Sequence, residues 1–73
     1  MLDITITVNG EERSIAHRST IADVVALALG VPAEKVTGVA VAVADRVVPR
    51  SAWETTSLEA GARIELVTAT QGG

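Results

Sequence analysis

The sequence predicts an α+β domain, a mixed sheet of about five strands packed on one main helix. Three observations predict it. Leu2, Ile4, Ile6 and Val8 alternate with Asp3, Thr5 and Thr7 and run straight into Asn9-Gly10, the pattern of a half-buried strand entering a tight hairpin. Ile21, Val24, Val25, Ala28 and Leu29 recur at helical spacing and form one apolar stripe. Val39 to Ala44 and Arg63 to Thr68 then return to period two, so further strands follow the helix.

Each element has a local cause. Asn9-Gly10 suits a two-residue type I′ turn, because both central residues need positive φ. Pairing across that turn sets Val8 opposite Glu11, Ile6 opposite Arg13 and Ile4 opposite Ile15, so the second strand spans 11–16. Ser19 or Thr20 supplies the helix N-cap, with Asp23 placed to favour the positive end of the helix dipole. Gly30 stops the helix, and Pro32 forbids its continuation. In Val39-Ala-Val-Ala-Val-Ala44 the Val face is expected against the helix, leaving an unusually flat Ala face outside. Asp45-Arg46 is read as a turn into Val47-Val48, a short strand closed by Pro49, whose missing N–H fits a sheet edge or end. Residues 50–54 form a loop or a single helical turn, and 58–61 a turn. In the last strand Ile64, Leu66 and Thr68 share one face, and Arg63, Glu65 and Val67 the other.

Length and composition bound the rest. Seventy-three residues make one domain, and a chain of that size buries only about 60% of its unfolded surface, so packing must be efficient. The apolar fraction is 48%, with no Phe or Tyr and the single Trp53, so the core is aliphatic and Trp53 closes one end of it. The absence of cysteine excludes disulfides, thiolate metal sites and a thiol nucleophile. Net charge is −3, and the six basic residues are scattered, which argues against a nucleic-acid partner. Neither a targeting signal nor a membrane-length apolar run is legible, so a cytoplasmic, soluble protein is expected. His17, Asp23, Glu11 and Glu12 have no ligand or general-base spacing and read as solvated residues. Arg50 either pairs with a carboxylate or partner, or serves the turn it sits in.

The order β, β, α, β, β, β, with the final strand returning beside the first, is the β-grasp (ubiquitin-like) arrangement. It divides the chain into a β-grasp domain over 1–68 and a flexible tail over 69–73. The tail ends in Gln71-Gly72-Gly73. A terminal glycine carboxylate has no side chain beside it, so it can thread a channel that any Cβ would block. Five residues at about 3.5 Å each reach about 17 Å from the last strand, enough to enter a partner's cleft.

Val47-Val-Pro-Arg-Ser-Ala-Trp53, then Leu58-Glu-Ala-Gly-Ala-Arg-Ile-Glu-Leu-Val67 and Thr68-Ala-Thr-Gln-Gly-Gly73, resemble the ThiS family of sulfur carrier proteins of thiamine biosynthesis. The hairpin at 8–11 and the Val-Ala strand fit the same family, so the resemblance covers essentially the whole chain. It implies a carrier without catalytic residues or bound cofactor or metal, acted on at Gly73. An adenylyltransferase of the ubiquitin-activating class (ThiF-like) would use Mg-ATP to form an acyl-adenylate there. A sulfur donor protein or sulfide would then leave a C-terminal thiocarboxylate, and a thiazole synthase (ThiG-like) would accept the sulfur. Gly72 and Gln71 are the tail residues required for entry into the partner's active site.

Val67, Ala40 and Ala42 are the candidate docking residues on the outer sheet face, although an exposed Val67 is also ordinary on any protein surface. Fold and diglycine are shared with carriers for molybdopterin, tRNA thiolation, cysteine or secondary metabolites. The Val-Pro-Arg-Ser-x-Trp stretch favours thiamine. Two further classes are a ubiquitin-like modifier, for which the single Lys35 makes lysine-linked chains improbable, and a pure binding module with incidental glycines.

Overall fold

Residues 2–68 are described by a computed structural model. The elements run β1 (Asp3–Val8), β2 (Glu11–Ala16), α1 (Ile21–Leu29), a 3-10 turn (Ala33–Lys35), β3 (Val39–Val43), β4 (Arg46–Val48), a second 3-10 turn (Arg50–Ala52) and β5 (Arg63–Thr68). One mixed sheet has the order β2-β1-β5-β3-β4. The central pair, β1 and β5, is parallel, and the other pairs are antiparallel. The last strand therefore lies beside the first, as the β-grasp expectation requires.

The first hairpin has the expected register, Val8 opposite Glu11 through Ile4 opposite Ile15. Its turn residues Asn9 and Gly10 stand at φ 50° and 86°, the left-handed values a type I′ turn demands. Thr20 is the N-cap of α1. Its hydroxyl accepts from the Asp23 N–H at 3.3 Å, and the Asp23 carboxylate accepts from the Thr20 N–H at 2.9 Å. That reciprocal pair satisfies two backbone donors at once. Gly30 ends the helix in the left-handed conformation, its N–H donating to the Ala26 carbonyl.

Two local expectations are corrected. The second hairpin turns at Ala44-Asp45, not Asp45-Arg46, so β3 ends at Val43 and Arg46 already pairs with it. Both turn residues stand at positive φ, 51° and 69°, without the glycine that normally advertises such a turn. Leu29, expected in the buried stripe, is 37% exposed. The buried residues of α1 are Ile21, Val24 and Val25. The last turn of the helix reaches the rim, beside the 3-10 turn that packs on it.

The core lies between α1 and the sheet. It comprises Ile6, Val8, Ile15, Ile21, Val24, Val25, Val36, Val41, Trp53, Leu58 and Ile64, with Val39 and Val43 packed against it. The Val face of β3 is thus the inner one. Each fully buried aliphatic side chain of this kind contributes about 1.5–3 kcal/mol. Trp53 closes one end at 3% exposure, and its Nε1–H donates to the Val48 carbonyl at 3.1 Å. Among the described residues no helix is long and apolar enough to cross a membrane.

Candidate functional site: the open face of the sheet

Strand alternation and register divide the outer face of the sheet into two halves. On β2 and β1 the outward positions are Glu12, Ser14, Ala16, Asp3, Thr5 and Thr7, all polar except Ala16. On β3 and β4 they are Ala40, Ala42 and Val47. β5 lies between the halves and contributes Arg63, Glu65 and Val67. Alternation alone therefore collects an apolar area at one end of the face.

The antiparallel registers make that area continuous. Ala40 is directly opposite Val67, and Ala42 lies between Glu65 on one side and Val47 on the other. Directly opposed side chains in such pairs have Cβ atoms about 4.5–5.5 Å apart. Val67 is 60% exposed and Val47 73% exposed, while the alanines between them add almost no height. The result is two raised aliphatic edges with a flat floor between. Its rim carries an ion pair, Arg63 Nη2 to Asp45 Oδ2 at 2.9 Å, exposed at both partners. An exposed pair of this kind adds little stability, but it fixes two charges at the border of an apolar patch.

The three docking residues expected from the sequence are thus brought together, with Val67 next to Thr68, the last residue described. Val47 completes the patch and was not anticipated. The signal for it was present, since a two-residue hairpin after Val43 places Val47 opposite Ala42, but misplacing the turn by one residue hid that pairing. Gln71, Gly72 and Gly73 lie outside the described residues. His17 is exposed in the link between β2 and α1.

Arg50 serves its own fold. Its Nη2–H donates to the Ala33 carbonyl at 2.8 Å, its Nη1–H donates to the Val36 carbonyl, and the guanidinium carbon lies 5.4 Å from the Trp53 ring centroid. A planar fork that meets two carbonyls and an aromatic face together is something lysine cannot reproduce. A shallow depression of about 310 Å³ beside it is lined by Ala22, Ala33, Glu34, Arg50, Ser51, Trp53 and Glu54. Arg50 spends two of its N–H donors on carbonyls of the protein itself, which fixes its guanidinium at the wall of that depression.

Comparison with known proteins bears on the whole chain. The model of the ThiS family matches residues 6–73. No curated protein sequence matches. Among solved structures, the crystal structure of the thiamine biosynthesis protein ThiS from Geobacter metallireducens superposes with a TM-score of 0.71 at 25% identity, covering 96% of this chain and 100% of that one.

Proposed function

The chain belongs to the ThiS family, the small sulfur carriers of thiamine biosynthesis, and from that premise we propose that Gly73 is the residue loaded with sulfur. The observation that carries the reading is the family match, which runs from Ile6 through both terminal glycines.

The chemistry follows from what a carboxylate lacks. It is a poor electrophile, because its oxygen is a poor leaving group and its negative charge repels nucleophiles. An adenylating partner with Mg-ATP joins the Gly73 carboxylate oxygen to the α-phosphorus and expels pyrophosphate. Hydrosulfide, or its equivalent from a donor protein, then adds at the acyl carbon. AMP leaves, a proton is released and a thiocarboxylate remains. Sulfur is then a soft nucleophile tethered to a folded domain, ready for transfer to the carbon precursor of a thiazole. The chain is a co-substrate throughout, with Gly72 and Gln71 carrying the terminus into the partner's site.

Docking falls to the apolar half-face made by Ala40, Ala42, Val47 and Val67. It offers aliphatic contact area at little cost in side-chain entropy, since Ala and Val have few rotamers to lose. It also adjoins Thr68, the last described residue, five positions before Gly73 in the sequence.

The test is an intact mass after incubation with lysate of the host, Mg-ATP and a sulfur donor. The expected result is a mass gain equal to sulfur replacing one oxygen, confined to the C-terminal peptide. An unchanged mass in a lysate that charges a known carrier overturns the proposal. Growth of a strain lacking this chain on supplied thiazole, and its failure without it, would place the sulfur in thiamine.

A further inference from the structure

We propose that Asn9 is a positioning residue for the charged terminus, its side-chain amide acting as one extra peptide unit of β1 that holds β5 at Leu66. The inference rests on the carrier reading above and adds to it a residue in the opposite end of the sequence. It starts from an interrupted ladder. On its β1 side, β5 is held by Thr7 N–H donating to the Ala62 carbonyl and Asn9 N–H donating to the Ile64 carbonyl, both at 2.9 Å. The next rung would fall at Leu66, but β1 has ended at Val8 and the chain is already turning at Asn9-Gly10.

The Asn9 side chain supplies that rung. The Leu66 N–H donates to Asn9 Oδ1 at 2.8 Å, and Asn9 Nδ2–H donates to the Leu66 carbonyl at 3.3 Å, across a sequence separation of 57 residues. A carboxamide presents one acceptor and one donor side by side, as a peptide unit does, so it can replace a backbone rung in kind. Asp could accept from Leu66 N–H but not donate to its carbonyl, and Ser is too short to do both. The turn requires only a residue tolerant of positive φ, and glycine serves that equally well. The turn therefore accounts for Asn or Gly at position 9, and the double contact at Leu66 accounts for Asn.

Leu66 is followed by Val67 and Thr68, and then by the residues leading to Gly73. On its other flank β5 is paired with β3 through Thr68 opposite Val39. With the Asn9 rung in place, the strand is secured on both flanks up to Leu66. The terminus then starts from a fixed point beside the docking patch.

Asn9→Gly in the full chain separates the turn from the latch. Two quantities are read: exchange of the Leu66 amide by NMR, and steady-state adenylation by the host's adenylating enzyme. Loss of one rung is expected to speed Leu66 exchange by about tenfold. A looser starting point for the terminus is expected to lower kcat by about tenfold, while KM for the carrier changes by less than about twofold, because Ala40, Ala42 and Val47 lie on untouched strands and Val67 keeps its pairing with Ala40 on β3. Unchanged exchange overturns the latch. Faster exchange with unchanged kcat, or an effect confined to KM, overturns the positioning role.

If Asn9→Gly fails to fold, Asn9→Asp replaces it. That variant tolerates the same φ and keeps an acceptor for the Leu66 N–H, but it sets a carboxylate oxygen against the Leu66 carbonyl in place of a donor. The quantity read is then kcat: the same fall is expected, and an unchanged kcat, or an effect confined to KM, overturns the positioning role. A wild-type chain that is never adenylated overturns the carrier reading and the positioning role together, and Leu66 exchange still decides whether the latch exists.

Discussion

Gly72 and Gly73 are the residues whose loss should cost function without costing structure. Deleting Gly73, or replacing Gly72 by Val, is expected to abolish the mass gain on charging and to leave the thermal midpoint of residues 2–68 unchanged, since neither lies in the described core. Arg50 is the opposite case. Arg50→Lys keeps the charge but loses the fork to the Ala33 and Val36 carbonyls and the contact with Trp53. Unfolding in urea should show a loss of about 1–2 kcal/mol, the scale of hydrogen bonds to a charged group, with charging retained by the folded fraction. A charging defect larger than the stability loss would mean that Arg50 meets a partner. The sequence reading left Arg50 between those roles because its acceptors lie 14 and 17 residues away, and nothing local marks them. The helix cap was legible to within one residue, Ser19 or Thr20, for the converse reason, since Thr20 and its partner Asp23 are three residues apart.

The two hairpins show how far an element can be read from its own residues. Asn9-Gly10 carries the side chains that positive φ favours, so both the turn and its register were legible. Ala44-Asp45 adopts the same left-handed pair of φ values without glycine, held by the pairing of β3 with β4 and by the Ala44 N–H donating to the Arg63 carbonyl at 3.0 Å. Tertiary contact overrides local preference there, which is why the turn was displaced by one residue and Val47 missed. The override has a cost that can be measured. An alanine in the left-handed region costs about 1–2 kcal/mol, and glycine gives back about 0.5–1 kcal/mol of that in chain entropy. Ala44→Gly should therefore stabilise the domain by up to about 1 kcal/mol, read from its denaturation midpoint. The helix tells a similar story at its other end. Period alone extended the buried stripe to Leu29, but contact with the core ends earlier, and no feature of the stripe itself marks that limit.

At the scale of the whole molecule, the sheet separates two tasks between its faces. The inner face and α1 hold the aliphatic core, while the outer face is polar over β2 and β1 except at Ala16 and apolar over β3 and β4. Placing a charge on the apolar half should then disturb docking alone. Val47→Asp, at a 73% exposed position, is expected to raise KM for adenylation by about tenfold or more, as loss of an interface contact does, with the denaturation midpoint unchanged. An unchanged KM would move the docking surface elsewhere. The core has one more consequence, which comes from its single ring. With no tyrosine or phenylalanine in the chain, all near-ultraviolet absorption and emission belongs to Trp53, buried at 3% exposure and bonded to Val48. The protein carries a built-in fluorophore at the end of its core, so one optical signal, blue-shifted while the domain is folded, can follow unfolding of charged and uncharged forms without any added label.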